Sequence, residues 1–517
     1  MAVTATETER KYETSADGSL PDLGTAPAVA GVEPADTEEL DAVYYDTPDL
    51  RLLSRRITLR RRQGGHDEGW HLKLPAGPDS RREVRLPLDA GGPSQVPQEP
   101  ADLVRAVTRG RELVPVAHLR TRRTRQVLRD AEGNALAEVA DDRVTAQVLG
   151  SRRRAGDEAP GQWTEITSWH EVEVELETGG PDLLEAVEQI LIAAGLRRSG
   201  SGSKLARVLA EEPSTVGPRP QQSLRTAGGA VLARVSGQAD AILAWDPAVR
   251  LDEPDSVHQM RVATRRLRSA LKTYRKILDR RATDPVEAEL KWLAEVLGRA
   301  RDSEVLGQRL SAEIDRLPVE VVLGPVEARI TARTASEYRD AHRAALEALS
   351  GDRYFALLDA LDRLLADPPL LPAAEQRADR ALDKAARREH RRLAGRVEAA
   401  LEAEPGQDRD AALHSARKAA KRARYAGETA QPVLGGRAKR FTKRMKKVQQ
   451  LLGIHQDAVV TRSELRTLGI RAHGAGENAF TYGLLWREQT AAADDVERRL
   501  PELWRRVGRP KYARLRR

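Results

Sequence analysis

Apolar residues recur along the chain with two different periods. Up to about residue 210 they alternate with polar residues over short runs that end in turn residues, which is the period of strands. The runs are Ala42 to Tyr45 before Asp46-Thr47-Pro48-Asp49, Ile57 to Arg62 before Gly64-Gly65, Trp70 to Leu74 before Pro75, and Glu83 to Leu88. Val127-Leu128 before the turn at Glu132-Gly133-Asn134, Ala135 to Val139, and Glu171 to Leu176 follow. Together they predict an antiparallel sheet or barrel. From Tyr12 to about Ala35 the chain is rich in Gly, Pro and Ala and reads as a long irregular connection. Glu211 to Gln222, with Pro213, Gly217, Pro218 and Pro220, reads as a linker. Beyond it the apolar period becomes that of helices, broken near Asp252-Glu253-Pro254, Asp284-Pro285, Asp367-Pro368-Pro369 and Pro405-Gly406. The expected organisation is a strand-rich domain over 1–210, a linker over 211–222 and an all-α domain over 223–517.

Charge changes the picture of the strands. Arg60 and Arg62 share one face of their strand, His71 and Lys73 another, and Arg81 and Glu83 fall together by parity, as do Arg123 and Arg125. Glu171, Glu173 and Glu175 stand opposite Val172, Val174 and Leu176, and near the N-terminus Glu7, Glu9 and Lys11 share a face opposite Thr8 and Arg10. One strand with a charged face is normally turned to water; many such strands predict a wet, ion-filled barrel interior, because unpaired charges cannot be buried dry. Carboxylates with Lys and Arg around them suit divalent cations plus a phosphate chain.

The whole chain of 517 residues has 86 Lys+Arg against 78 Asp+Glu, a net charge of +8, which favours a polyanionic partner. It has no cysteine, excluding disulfides, thiolate metal sites and cysteine nucleophiles. No apolar run approaches membrane-spanning length and Met1 to Arg10 has no signal-peptide core, so a soluble cytoplasmic protein is expected.

In order and spacing, several segments of residues 1–210 match a known pattern: Glu7-x-Glu9-x-Lys11, Tyr44-Tyr45-Asp46-Thr47-Pro48, Leu59-Arg60-Arg61-Arg62, Lys73, the Arg81-Glu83 pair, the Glu171/Glu173/Glu175 row and Ser203-Lys204. This part resembles the CYTH, or triphosphate tunnel, superfamily. The resemblance implies an eight-stranded antiparallel tunnel that hydrolyses tripolyphosphate or handles other triphosphates with Mg²⁺ or Mn²⁺. It makes Glu7, Glu9, Glu138, Asp142, Glu173 and Glu175 metal-side carboxylates and Lys11, Arg60, Arg62, Lys73, Arg81, Arg123, Arg125 and Lys204 phosphate ligands, with Glu7, Glu9 and Lys11 central to catalysis. Two departures matter. Arg85 stands where many members carry a further acid, and the arginine-rich run Thr121 to Arg129 leaves a one-residue slip open that would exchange Arg123 and Arg125 for Arg122.

The helical part contains a repeat. His258-x-x-Arg261-x-x-x-Arg265-Arg266-x-Arg268 recurs as His414-x-x-Arg417-x-x-x-Lys421-Arg422-x-Arg424, and Leu297-Gly298 followed by Arg301-Asp302 recurs as Leu452-Gly453 followed by Gln456-Asp457. His258, Arg261, Arg265, Arg268, Lys272 and Arg275 step by three and four, so they stack on one helix face. His258 to Lys276 holds seven Lys/Arg and no acid, and His414 to Lys447, with Arg440, Lys443 and Lys447, holds twelve against Glu428 alone. A merely solvated face would show balanced Glu/Lys patterning. Like charges one helical turn apart repel, so an anion that neutralises them is expected. For His258 and His414 a structural role at a helix start stands beside phosphate contact; His455 has no counterpart in the first copy, where Ala300 stands. This half resembles the CHAD domain, which implies duplicated four-helix bundles around a basic groove that binds inorganic polyphosphate. Aromatics are 4% of the chain, too few for the base stacking that nucleic-acid readers use.

The combined expectation is a phosphohydrolase in which the helical half captures polyphosphate and the tunnel hydrolyses it, in association with polyphosphate granules. A non-catalytic polyphosphate-binding or scaffold protein is the second reading, with Arg85 its motive, and an RNA-binding role the third. Nothing in the sequence identifies the adenine pocket that cyclase chemistry would need.

Overall fold

The computed structural model describes residues 3–14, 19–77, 79–92, 95–149, 166–210 and 222–516. It divides into two compact units, Met1–Pro218 and Arg219–Arg517. The expected linker falls almost wholly on 211–221, outside the described residues.

The first unit is a closed antiparallel barrel. Its strands are β1 (Val3–Glu13), β2 (Gly31–Asp46), β3 (Thr58–Gln63), β4 (Gly69–Pro75), β5 (Ser80–Leu86), β6 (Val114–Arg129), β7 (Ala135–Val148) and β8 (Ile166–Leu176). They are ordered β5-β4-β3-β2-β6-β7-β8-β1, and β1 closes the ring by pairing back onto β5, while the two-residue β9 (Arg197–Arg198) adds to the edge of β1. Short helices α1 (Arg51–Ser54), α2 (Gln98–Leu103) and α3 (Arg105–Thr108) fill connections, and α4 (Pro181–Ala193) and α5 (Lys204–Val208) follow the last long strand.

Two expectations need correction. The irregular connection from Tyr12 to Ala35 is shorter, because β1 runs to Glu13 and β2 starts at Gly31. The segments at Ala42, Val127 and Ala135 are parts of strands of 14 to 16 residues. In these long strands the inward face is charged, so the run of apolar residues that marks a strand is visible only where both neighbours are small or apolar.

The hydrophobic core of the barrel lies outside its wall. Tyr12, Val139, Val172 and Val174, which face away from the charged rows, pack against Leu183, Leu184, Val187 and Leu191 of α4. The inward positions turn apolar toward one end, where Ala42, Leu119, Val144 and Ala146 meet Leu205 and Leu209 at α5. Ser203 caps α5 by accepting a hydrogen bond from the Ala206 N–H, which sets Lys204 as its first residue, pointing inward.

The second unit is helical: α6 (Ala227–Arg250), α7 (Ser256–Thr273), α8 (Arg280–Ile314), α9 (Val326–Leu349), α10 (Asp352–Ala366), α11 (Ala378–Glu402), α12 (Gln407–Gly474) and α13 (Phe480–Val507). α12 breaks at Gly435, whose φ of 52° and ψ of −132° are non-helical, giving two arms, 407–434 and 436–474. The repeat is thereby visible as two sets of four: α6 to α9, then α11, the two arms of α12, and α13. No helix among the described residues is long and apolar enough to cross a membrane.

Candidate functional site: an ion-lined barrel and facing basic helices

Strand parity brings the expected barrel residues into one interior. Opposite Glu9 in the β1–β8 register stands Glu175, and opposite Lys11 stands Glu173. Lys11 bonds Glu173 and reaches Glu9 at 3.2 Å; Lys73 bonds Glu7 and lies 3.7 Å from Glu83. Arg123 holds Asp142 with both Nε (2.8 Å) and Nη2 (2.6 Å) and reaches Glu173 at 2.7 Å, while Arg125 pairs with Glu138 at 2.9 Å and Glu38 at 3.2 Å. Arg122 points out, 68% exposed, so the register does not slip. Arg81 donates to the Gly202 carbonyl and stands 3.6 Å from Glu9. Arg62 pairs with Asp67, and Arg60 donates to the Tyr44 hydroxyl at 3.2 Å. Arg60 has no carboxylate partner among the described residues. Arg10 faces outward, to Asp79 and to Glu188 on α4.

Asp142, Glu171 and Glu173 each offer an oxygen within 4.8 Å of the others. The Lys204 ammonium occupies the point on which they converge, 2.9 Å from Asp142, 2.8 Å from Glu171 and 2.7 Å from Glu173. Lys204 thus sits among carboxylates, where the resemblance alone made it a phosphate ligand.

Burial by itself would raise every carboxyl here. At Glu9 the ammonium groups of Lys11 and Lys73 override it and hold the carboxyl at about 2; at Glu173 Lys11, Lys204 and Arg123 hold it well below the usual range. Glu175 has no ion-pair partner among the described residues, and burial, then the neighbouring Glu7 charge, pushes it up to about 7. Burial, then Arg60 and Arg123, lowers the Arg62 guanidinium to about 9.

Four contributors to the interior carried no metal or phosphate assignment from the sequence. Glu171 was visible as the first member of its row, and parity alone turns it inward. Glu83, fully buried, accepts from His71 at 2.8 Å, and His71 shares the Lys73 face. Tyr44 and Glu38 carried no charge pattern that marked them. Arg85, noted as a departure, bonds Glu83 and reaches Glu7 at 3.0 Å, so a side chain of this chain neutralises two carboxylates of that wall.

In the helical unit the repeat acquires a physical reason. Arg261 pairs with Asp302 at 3.2 Å and Arg417 with Asp457 at 3.4 Å, each reaching from the basic helix to the next helix or arm. A Cβ at Gly298 would lie 3.2 Å from Arg261 Nη2, so this glycine leaves room for that guanidinium, whereas one at Gly453 would make an ordinary contact, 3.7 Å from Arg417 Nη2. The stripes are less bare than their sequence suggests, because other helices supply acids. Glu287 pairs with Arg268 (2.5 Å) and Lys272 (3.0 Å), Asp284 lies 3.8 Å from Arg275, and Glu428 of α12 lies 3.3 Å from Arg266.

What stays unneutralised is where the two copies meet. Lys421 and Arg265 have no ion pair among the described residues. Burial, then Arg265, Arg417 and Arg261, pushes the Lys421 ammonium down to about 6. His258 and His414 are half-buried and pushed below the usual imidazole value by burial, then by Arg301 and Lys418 respectively. Arg440, Lys443 and Lys447 are exposed beyond the Gly435 break, on a different arm from His414 to Arg424.

Comparison with known proteins agrees with this division. The family model of the CYTH domain matches residues 5–209 and that of the CHAD domain residues 233–466. The chain is 42% identical over 510 residues to the protein Rv2226 of Mycobacterium tuberculosis, covering 97% of this chain and 96% of that one. Among solved structures it is similar to PptA from Streptomyces chartreusis, at 23% identity and a TM-score of 0.46, covering 54% of this chain and 99% of that chain. It is also similar to the CHAD domain from the plant Ricinus communis, at 25% identity and a TM-score of 0.45, covering 55% of this chain and 94% of that chain. The chain belongs to the family of proteins that carry a CYTH domain followed by a CHAD domain.

Proposed function

We propose that the barrel hydrolyses a phosphoanhydride bond of tripolyphosphate or inorganic polyphosphate with Mg²⁺ or Mn²⁺, and that the helical unit captures the polyphosphate chain. The observation that carries this reading is the convergence of Asp142, Glu171 and Glu173 on one point inside a wall of buried cations. Carboxylate oxygens are the donors a hard divalent cation takes, and the Lys204 ammonium stands in for a cation at that point. Bound Mg²⁺ or Mn²⁺ would polarise phosphoryl oxygens and acidify a water.

The side chains of the protein do the rest. Arg60, Arg62, Lys73, Arg81, Arg123 and Arg125 would hold successive phosphates and offset the charge of the transferring group. Lys11 and Lys204 would turn from their carboxylates toward phosphate oxygens as substrate enters. Glu7, Glu9, Glu138 and Glu175 complete the acidic lining. In the helical unit Arg261, Arg265, Arg417 and Lys421 form the centre of the capture surface, flanked by His258, His414, Arg268, Lys272 and Arg424, with Arg440, Lys443 and Lys447 extending it. Covalent tethering of a capture module raises the substrate concentration at the barrel without a new contact there. The reading fits a cytoplasmic protein that associates with polyphosphate granules.

A second reading rests on Arg85, whose pairing with Glu7 and Glu83 removes two carboxylates from cation binding. It makes the chain a polyphosphate-binding protein without turnover. Phosphate release from tripolyphosphate and longer chains, measured across Mg²⁺ and Mn²⁺ concentrations, separates the two: release supports hydrolysis, and tight binding with no release at any metal concentration supports the second.

A further inference from the structure

A buried histidine in the second helical copy has a setting that polyphosphate capture does not use. His455, on the second arm of α12, is 1% exposed, and its Nε2 makes no hydrogen bond. It points between two carboxylates, 3.3 Å from Asp410 Oδ1 on the first arm of α12 and 3.5 Å from Glu497 Oε1 on α13. One donor atom from each of the three lies within 4.8 Å of the others.

The other oxygen of each carboxylate is already engaged. Arg462 holds Asp410 Oδ2 at 3.3 Å and lies over the Trp486 ring, 5.9 Å from its centroid. Arg409 holds Glu497 Oε2 at 3.0 Å and also donates to the Ala403 carbonyl at 2.9 Å and 2.7 Å. Each arginine thereby fixes the direction of one carboxylate, leaving Oδ1 and Oε1 aimed at the imidazole nitrogen. Outer partners that orient ligands in this way are what metal sites require.

The first copy provides an internal contrast. Ala300 stands in place of His455 at the 155-residue spacing of the Leu-Gly pair, and Pro254 in place of Asp410 at the 156-residue spacing of the His-x-x-Arg motif. There His342 lies 3.5 Å from Asp252, and no comparable donor set forms among the described residues.

We propose that Asp410, His455 and Glu497 bind a first-row divalent transition-metal ion that ties both arms of α12 to α13. One imidazole nitrogen with two carboxylate oxygens favours Mn²⁺, Co²⁺ or Zn²⁺ over Mg²⁺ or Ca²⁺, which take oxygen ligands. The two arginines cancel the carboxylate charge, so the affinity is moderate. The site is independent of the barrel chemistry.

The test is Co²⁺ titration of the full chain, read by visible absorption and by pulsed electron paramagnetic resonance for a directly bound imidazole nitrogen, alongside thermal unfolding. The expected result is one nitrogen-ligated Co²⁺ per chain and a raised unfolding temperature. Both should persist in Asp142→Asn and be lost separately in His455→Gln, Asp410→Asn and Glu497→Gln. The Asp and Glu variants keep the buried imidazole, so they decide the matter if His455→Gln does not fold. Absence of a nitrogen-ligated ion in the intact chain, or a signal unchanged in Asp410→Asn and Glu497→Gln, overturns the proposal.

Discussion

Lys204 Nζ lies 2.7 Å from Glu173 Oε1, with Asp142 and Glu171 at almost the same distance on its other sides. Three carboxylates drawn together in a buried place repel one another, and the ammonium offsets that repulsion. The side chain is set there by the Ser203 cap of α5, so a helix start positions the charge that holds the interior together. A divalent cation and this lysine would therefore compete for one position.

Replacing Lys204 with Met should destabilise the metal-free protein by about 3–5 kcal/mol, the usual cost of breaking a buried ion pair from one side. Mn²⁺ should restore most of that loss and should stabilise Lys204→Met more than the wild type. Urea unfolding with and without Mn²⁺ measures both effects. Equal destabilisation with no Mn²⁺ recovery would mean that the carboxylates do not hold a cation.

Glu175 gives a pH dependence whose sign is fixed by its raised carboxyl, about 7 in the folded chain against 4.5 when unperturbed. The folded state holds the proton more tightly, so this group's stabilising contribution is complete below about pH 4.5 and is lost as pH rises through about 7. Glu175→Gln should remove that fall and leave the variant more stable than wild type above pH 7, by roughly 3 kcal/mol. Because a bound cation needs the ionised carboxylate, Mn²⁺ affinity of the wild type should rise through the same window and that of Glu175→Gln should not. Unfolding and Mn²⁺ titrations between about pH 5 and 8 check both.

Lys421 predicts the opposite trend for capture. Its ammonium is pushed down to about 6, so most of it is neutral at pH 7.5 in the free protein. A polyphosphate chain lying against Arg265, Arg417 and Lys421 would restore the charge and take up a proton. Affinity should therefore rise as pH falls from about 8 to about 6, approaching tenfold per unit at its steepest. Lys421→Met should flatten the dependence. Calorimetry in two buffers of different ionisation enthalpy would register the proton uptake, and equal enthalpies in both would contradict it.

Much of this architecture was readable beforehand, and the reason is parity. Charged and apolar residues alternate in Glu171 to Leu176 and in several other strands, and it was their repetition that disclosed an interior of ions; that the core lies outside the wall came from the structure. The same rule left Arg123 and Arg125 open against Arg122, and only the ion pairs of Arg123 and Arg125 inside the barrel decided it. Strand lengths were not readable, because inward charges in β6 and β7 hide the apolar period. The carboxylates around Lys204 were not readable, since sequence spacing cannot show that a helix cap aims it at Asp142. In the helical half the basic stripes were plain, but their acids, Glu287, Asp302 and Asp457, come from other helices or from beyond the Gly435 break. His455 gained its setting from Asp410 and Glu497, 45 and 42 residues away in sequence.

The central claim is that the barrel turns over phosphoanhydrides while the helices only capture them. Release of phosphate from tripolyphosphate by the full chain with saturating Mn²⁺, compared among wild type, Glu9→Gln and Asp142→Asn, tests it directly, with polyphosphate binding measured on the same samples. Metal-dependent release by the wild type, reduced at least about a hundredfold in both variants with binding unchanged, is the expected result. No release by the wild type at any Mn²⁺ concentration, or variants that lose binding together with release, would contradict the division of labour.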